Sequence, residues 1–340
     1  MRSILYVHIG APKCASTSIQ HFLFDNAASL RRLGFLVGDQ NMNFGNGGGN
    51  PLWFIQDFVN RNAEEAPKVI AERTSQLHDM NGIVSAENLN NPLAARLFSE
   101  AAKQVDIKIL YVIRRQDDWI YSAWKQWNSK VGVSLSEYVE SALKNGEPNY
   151  PKTINAWSAV VPRENIHVIS LDLLDQASGI ELETLKWLGL SDRVDEFKRD
   201  DTLANESFDF RILDLLSRHK GAYDNPHDRR IEEFLAQFSR LSSKQKFQLP
   251  DEVSSRIMER FRADNLSVLG PEATDALYRK PRRQRASAIG NDRASDHDFV
   301  LACLLEAAGR MSAELAASRA EIRAQKAELE QIKERLKRGN

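Results

Sequence analysis

The sequence has 340 residues and a formal net charge of −1, which leaves room for one large α/β domain with an appendage or for two small domains. A balanced charge gives no reason to expect a nucleic-acid partner. Two cysteines, Cys14 and Cys303, are too few for a disulfide framework, and no Cys/His cluster has zinc spacing. The apolar run Ile4–Ile9 is too short for a signal peptide, so we expect a cytoplasmic protein with no transmembrane segment.

A strand, a tight loop and a helix start follow one another in the stretch Ile4–Gln20, ILYVHIGAPKCASTSIQ. Such a loop presents free backbone N–H groups and the positive end of the helix dipole to a ligand above it. Lys13 adds a positive charge, and Ser16, Thr17 and Ser18 add hydroxyl donors. The stretch therefore predicts an anion site. Its simpler interpretation is a helix capped by Ser16 with an exposed lysine nearby.

Further helices and strands alternate along the chain and predict a doubly wound parallel sheet flanked by helices. Ligands of such sheets bind at the carboxyl ends of the strands. Gly10, Glu87 and Arg114 each lie just past such an end, so we expect them to meet in space. The predicted helices are 18–32, 57–78, 92–105 and 180–188, and the later strands are 35–37, 82–86, 107–113 and 166–171.

The segment Phe44–Phe54, FGNGGGNPLWF, is too rich in glycine for a regular element. It lacks the third glycine of a dinucleotide fingerprint and follows no strong strand, which excludes a Rossmann site. A loop that closes over a nucleotide or sugar and a plain surface connection both fit this composition.

A cationic and aromatic cluster, RRQDDWIYSAWKQW, begins at Arg114, where the fourth strand ends. Arginine suits phosphate binding because its planar fork donates paired hydrogen bonds to phosphate oxygens. Arg115 would point to the opposite face of a continuing strand, so Arg114 is the candidate. Ser122 follows eight residues later, within a helix. The helical spacing of Trp119, Trp124 and Trp127 favours core positions over ligand platforms.

The first loop resembles the 5′-phosphosulfate-binding loop of sulfotransferases that use 3′-phosphoadenosine-5′-phosphosulfate (PAPS). The resemblance lies in the order Pro12-Lys13, two small residues and then Ser-Thr-Ser, with Ala15 where the family commonly has Gly. In nucleoside-triphosphate enzymes the Lys follows the first Gly by six positions, whereas Lys13 follows Gly10 by three. That spacing disfavours ATP or GTP.

Two further segments resemble the same family. Arg114 and Ser122 have the separation of the pair that grips the 3′-phosphate, and Glu87, in IVSAENL, resembles the glutamate base of glycan sulfotransferases. The resemblance implies a P-loop-like sulfotransferase sheet and transfer of a sulfuryl group from PAPS to a hydroxyl, with a saccharide as expected acceptor and no metal. It implies Lys13 and Glu87 as catalytic residues and PAPS binding by Gly10, Lys13, Cys14, Ala15, Ser16, Thr17, Ser18, Arg114 and Ser122.

Several alternatives stay open. His8, near the end of the first strand, is the second candidate base, and Glu87 also fits an ordinary ion pair. A kinase-like phosphoryl transferase would need ATP and magnesium, but the sequence has neither Gly-Lys-Ser/Thr nor a clear metal-binding aspartate. A coiled-coil assembly protein with a degenerate nucleotide-binding domain is the non-enzymatic alternative.

The remainder of the chain predicts peripheral helices over 205–219 and 251–265, followed by a basic run, RKPRRQR, over 279–285. The run has two interpretations: a solvated linker, or a contact with an acidic glycan or the nucleotide phosphate. We therefore divide the chain into an α/β domain over 1–278, a basic linker over 279–298 and a coiled-coil helix over 299–338.

The tail carries an a/d heptad pattern over more than four repeats, which predicts a coiled coil. Glu residues at g precede cations at the following e positions, so two parallel, in-register copies would pair them. We expect a parallel homodimer, weakened by Ser318 and Gln325 at d; a single helix folded back on the domain is the alternative. The apolar positions are Leu301, Ala308, Leu315, Ile322, Leu329 and Leu336 at a, and Leu304, Met311 and Ile332 at d.

Overall fold

The computed structural model describes residues 2–39, 41–44, 64–174, 179–199, 210–218, 225, 227–228, 247–279, 286–287 and 293–338. The chain forms two compact units. The first comprises Met1–Trp124, Leu135–Asn205 and Gln248–Gln284, and the second comprises Lys125–Ser134, Glu206–Phe247 and Arg285–Asn340. The boundary at residue 278 stays a prediction. Most of the glycine-rich segment 44–54 and of the basic run 279–285 lies outside the described residues.

A five-stranded sheet in the order β2-β3-β1-β4-β5 forms the centre of the first unit, and every neighbouring pair is parallel. In its register, His8 lies opposite Ser85 on one side and Leu110 on the other. The central position of β1 places the loop that follows it at the middle of the carboxyl edge. The strands are β1 Ile4–His8, β2 Phe35–Val37, β3 Asn81–Ser85, β4 Asp106–Ile113 and β5 Ile166–Ser170.

Helices cover both faces of this sheet. Tyr6 of β1 packs edge-on against Trp187, with ring centroids 5.1 Å apart, and Tyr111 of β4 packs against Tyr150 at 6.0 Å. Because the register places Tyr6 opposite Lys108, an odd number of residues from Tyr111, the two tyrosines lie on opposite faces. Double coverage explains why β4 is apolar almost throughout, and the predicted parallel sheet with flanking helices is confirmed.

The α-helices of the first unit flank the sheet and its edges. They are α1 Ser16–Asp25, α2 Ala27–Arg32, Ala66–Ser75, Gln116–Ala123, Leu135–Asn145, Tyr150–Ser158, Gly179–Leu188, Asp251–Arg260, Arg262–Leu269 and Pro271–Arg279. Short 3₁₀ helices are Glu87–Asn90, Pro92–Phe98, Ala101–Lys103, Arg163–Asn165, Leu171–Leu173 and Ser191–Glu196. A π-helical turn, Trp124–Asn128, follows the helix Gln116–Ala123.

Three predicted helices are interrupted in the structure, and the helix predicted over 57–78 covers only Ala66–Ser75 among the described residues. The helix predicted over 18–32 begins at Ser16 and breaks at Asn26, whose side-chain amide donates to the carbonyl oxygens of Phe22 and Lys198. The helix predicted over 92–105 is two 3₁₀ segments with i to i+3 bonds. The helix predicted over 251–265 breaks at Phe261, whose side chain is fully buried.

The second unit contains the 3₁₀ turn Ser129–Val131, the helix Phe210–Ser217 and the long helix Arg293–Arg338, called the tail helix below. The tail helix begins six residues before the predicted start at 299. Two-residue strands lie at Phe247–Gln248 and Ala286–Ser287. Across the residues described, no helix combines the length and apolar character needed to span a membrane.

Candidate functional site

The loop after β1 has a backbone shaped to gather N–H groups. Lys13 and Ala15 both have left-handed dihedrals, with φ of 67° and 63°. Left-handed residues in such a turn direct successive N–H groups to one side, which forms an anion-binding concavity. A Cβ is disfavoured in this conformation, so Ala15 adopts it at a cost that glycine would not have.

Neighbouring side chains fix this loop. The indole Nε1 of Trp119 donates to the carbonyl oxygen of Pro12 at 2.8 Å. Gly10 lies under the ring of His8, and a Cβ at this glycine would come within 2.4 Å of His8 Nε2. Cys14 is fully buried, and burial raises the pKa of its thiol, which stays protonated and serves packing. Contacts at Gly10, Pro12 and Cys14 therefore hold the loop in place.

The structure does not support a simple Ser16 cap. The N-cap residue of α1 is Ala15, which makes no side-chain cap bond, and Ser16 Oγ is buried with no hydrogen-bond partner in the described part of the chain. Lys13 is partly buried rather than exposed. A buried donor without a partner is costly unless a ligand satisfies it. Ser16 therefore fits an anion that binds above α1.

Lys13 interacts with both other predicted site charges. Burial lowers the pKa of Lys13, the nearby carboxylate of Glu87 raises it, and the Arg114 guanidinium lowers it. These interactions require the three side chains to lie at one edge of the sheet, although they come from different strand ends. The sequence predicted that Gly10, Glu87 and Arg114 meet in space, and Lys13, three residues after Gly10, lies within electrostatic range of Glu87 and Arg114.

Glu87 begins a 3₁₀ turn two residues after the last residue of β3, and buried side chains hold that turn. Fixing the turn fixes the start of the Glu87 side chain relative to the loop after β1. The hydrogen bonds run from Tyr111 Oη to Asn90 Oδ1 at 2.7 Å, from Thr153 Oγ1 to the Asn90 carbonyl at 2.9 Å and from Trp157 Nε1 to the Leu89 carbonyl at 3.2 Å.

Arg114 leaves β4 with its backbone fixed and its side chain only loosely paired. The Tyr150 hydroxyl donates to the Arg114 carbonyl oxygen at 2.8 Å. The guanidinium lies 3.8 Å from Asp118, while its Nε is buried and lacks a hydrogen-bond partner among the residues described. Ser122 lies one helical turn beyond Asp118 on the same face of the helix. It therefore lies on the helix face that carries Asp118, the residue nearest the Arg114 guanidinium.

Arg115, by contrast, is a structural residue. Its guanidinium binds both oxygens of the fully buried Asp117 at 3.1 Å and donates to the carbonyl oxygen of Leu277. The Ser254 hydroxyl donates to the same carboxylate. The Arg115 guanidinium is therefore engaged within the protein, and the role of Arg114 toward a ligand stays a prediction.

The sequence interpretation missed Asp172. Its carboxylate accepts the backbone N–H of Arg115 at 2.6 Å, and burial raises its pKa while Arg114 lowers it. Asp172 lies two residues after the last residue of β5, so the rule that places ligand-binding groups at the carboxyl ends of parallel strands would have found it. It holds the strand exit from which Arg114 and Arg115 diverge.

His8, the last residue of β1, is fully buried. Its Nδ1 lies 2.7 Å from Ser85 Oγ, and burial lowers its pKa to about 3. An imidazole with this pKa stays neutral and is a weak base. The geometry therefore gives His8 a packing role against Gly10.

Replacing His8 by glutamine is expected to make the free energy of unfolding depend less on pH in the acid range. The unfolded chain has a histidine pKa of about 6.5 and binds more protons than the folded state between that value and the folded pKa of about 3. The free energy of unfolding therefore falls as pH drops below about 6.5, by up to ~1.4 kcal/mol per pH unit. Scanning calorimetry from about pH 6.5 to 4.5 should show a shallower fall of Tm in His8→Gln.

The exposed His21 supplies the control for this experiment. The variant His21→Gln, at an exposed position, should keep the slope of the unmodified chain. Equal slopes for the chain and for His8→Gln would show that His8 is not the buried neutral group described here.

Comparison with known proteins adds little to this geometry. No family model and no curated protein matches the chain. Among solved structures it is similar to a sulfotransferase from Alicyclobacillus acidocaldarius, with 15% identity, 82% of this chain and 100% of that chain covered, and a TM-score of 0.35. It is also similar to a mouse sulfotransferase complexed with PAP, with 12% identity, coverage of 76% and 89%, and a TM-score of 0.31. These values are too low to carry an argument about activity.

No group of three or more Cys, His, Asp or Glu side chains suited to a metal ion occurs within the described ranges. The charges at the carboxyl edge come instead from Lys13, Arg114, Glu87 and Asp172. The roles of Lys13, Glu87 and Arg114 toward a ligand, and those of Gly10, Cys14, Ala15, Ser16, Thr17, Ser18 and Ser122, stay predictions.

Proposed function

We propose that the chain is a sulfotransferase that moves a sulfuryl group from PAPS to a hydroxyl of an acceptor, with a saccharide as the acceptor class. The observation that carries this proposal is the pair of cationic positions, Lys13 and Arg114, at the ends of neighbouring strands and within electrostatic range of each other. PAPS carries anionic groups at the 5′ and 3′ positions of one ribose. Two separate cationic points match that arrangement.

Buried donors without partners support the same fit. Ser16 Oγ lies at the first point and Arg114 Nε at the second, and each lacks a protein partner among the described residues. The 5′-phosphosulfate would bind the N–H groups of the loop, Lys13 and the hydroxyls at the start of α1. The 3′-phosphate would bind Arg114 and Ser122. Phosphate oxygens are strong acceptors, so both sets of donors would be satisfied.

The proposed transfer is a single displacement. The acceptor oxygen forms a bond to sulfur while the bond between sulfur and the bridging oxygen of PAPS breaks, and adenosine 3′,5′-bisphosphate leaves. The acceptor proton passes to the Glu87 carboxylate. Lys13 and the loop amides neutralise the charge that develops on the bridging oxygen. Glu87 also raises the pKa of Lys13, which helps to keep the ammonium protonated against the effect of burial.

Transfer from radiolabelled PAPS to a panel of neutral and uronate-containing oligosaccharides, in EDTA, tests the proposal. We expect label on at least one saccharide and an equal amount of adenosine 3′,5′-bisphosphate. Label that stays on the donor with every saccharide contradicts the acceptor class. Phosphate transfer from ATP that requires magnesium contradicts the sulfotransferase itself.

The variant Arg114→Ala should weaken donor binding while leaving turnover at saturation nearly unchanged. Loss of charge-assisted hydrogen bonds to one phosphate costs about 1.5–3 kcal/mol, which corresponds to a ten- to hundredfold rise in KM for PAPS. Arg114→Lys keeps the charge without the planar fork, so its KM for PAPS should lie between those of the unmodified chain and of Arg114→Ala. The exposed Arg96 gives the control variant Arg96→Ala. An unchanged KM in Arg114→Ala would remove Arg114 from the site.

A further inference from the structure

The tail helix presents an apolar stripe that its own chain leaves uncovered. Six of the ten large apolar side chains exposed in the described part of the chain lie on this helix, and each is 42–56% exposed. They occupy the a and d positions of the heptad pattern. The six are Leu301, Leu304, Met311, Leu315, Ile322 and Leu329.

The buried face of the helix is a different one. Val300 and Ala307, seven residues apart, are 3% exposed, and the tail helix contacts the helix Phe210–Ser217 of the same unit. Beyond Ala307, every residue from Ala308 to Lys326 is exposed. Packing within the unit therefore ends after the first turns and leaves the a/d stripe open, which speaks against the folded-back helix.

We propose that a second copy of this chain covers the stripe and forms a parallel, in-register coiled coil. The charged residues beside the stripe favour this partner, because those of one copy are opposite in sign to the residues that they would face in a parallel copy. In a parallel pair each g residue faces the next e residue of the other copy, which brings Glu314 to Arg319, Glu321 to Lys326 and Glu328 to Lys333.

An antiparallel pair would place g beside g and e beside e. Glu residues would then face Glu residues, and cations would face cations, which is unfavourable. A copy of the same helix in parallel orientation therefore buries the apolar stripe and pairs the Glu residues beside it with cations. Gln325 at a d position fits the in-register pair, because its amide can hydrogen-bond to the matching Gln325 of the second copy.

Light scattering of the full chain tests the association. We expect twice the 38.5 kDa mass of one chain at micromolar concentration. The double variant Leu315→Lys/Ile322→Lys places four cations in the seam of a dimer and should shift the mass to that of a monomer. Ala320→Lys, on the outer face of the same helix, should remain dimeric. A monomeric full chain, or a dimer that survives the double variant, would overturn the proposal.

Cysteine crosslinking tests the orientation. In a Cys303→Ser background, the variant Leu315→Cys brings two thiols together only in a parallel, in-register pair, so oxidation should give a covalent dimer. Ala320→Cys is the outward-facing control and should crosslink little. A dimer without crosslinking in Leu315→Cys contradicts the parallel register. Neither measurement depends on sulfuryl transfer, so each stands whether or not the proposed activity is found.

Discussion

Replacing Lys13 by alanine is expected to lower the rate of sulfuryl transfer by about 10³-fold. The ammonium is the cation placed to meet charge on the bridging oxygen, and partial burial strengthens its interaction with that charge. Alanine keeps a Cβ at the left-handed φ of 67°, so the variant removes charge without adding the backbone freedom of glycine. Single-turnover rates with radiolabelled PAPS measure the effect.

Two further variants separate charge from folding in this test. Lys68 is exposed on the helix Ala66–Ser75, and Lys68→Ala should transfer at the rate of the unmodified chain. Lys13→Arg retains a cation and should recover part of the rate. More than a tenth of the original rate in Lys13→Ala would exclude Lys13 from the chemical step.

Replacing Glu87 by glutamine is expected to lower turnover by about 10²- to 10⁴-fold while donor binding is preserved. Glutamine has nearly the same shape but does not accept the acceptor proton. The 3₁₀ turn that carries position 87 is held by Tyr111, Thr153 and Trp157, so the backbone should not move. Transfer rates and a titration with adenosine 3′,5′-bisphosphate give the two readouts.

The matched control is Glu72→Gln on the exposed face of the helix Ala66–Ser75, which should leave the rate unchanged. Loss of the Glu87 carboxylate also removes the interaction that raises the pKa of Lys13. The residual activity of Glu87→Gln should therefore decline at a lower pH on the alkaline side than that of the unmodified chain. Full turnover in Glu87→Gln would rule out Glu87 as the base.

The sheet could be predicted because its strands are short apolar runs that end at polar, charged or glycine residues. β4 shows this most clearly, since both faces are buried and nearly every residue is apolar. Strand ends then placed Glu87 and Arg114 near the first loop. Helix ends were harder to predict, because Asn26 and Phe261 break helices through contacts with distant residues.

The finer geometry of the site depends on tertiary contacts that no local pattern contains. The left-handed dihedral of Ala15 contradicts its local preference, and the surrounding loop imposes it. The bond from Trp119 to Pro12 joins residues more than a hundred positions apart. The burial of His8, which lowers its pKa, likewise follows from the packing of the ring over Gly10.

Calorimetric titration without magnesium tests the two-point account of the site most directly. Adenosine 3′,5′-bisphosphate should bind about ten- to a hundredfold more tightly than adenosine 5′-monophosphate, because only the bisphosphate reaches Arg114. Arg114→Ala should remove that difference, whereas Lys13→Ala should weaken both ligands. Equal affinity for the two nucleotides, or tighter binding of ATP, would contradict the account.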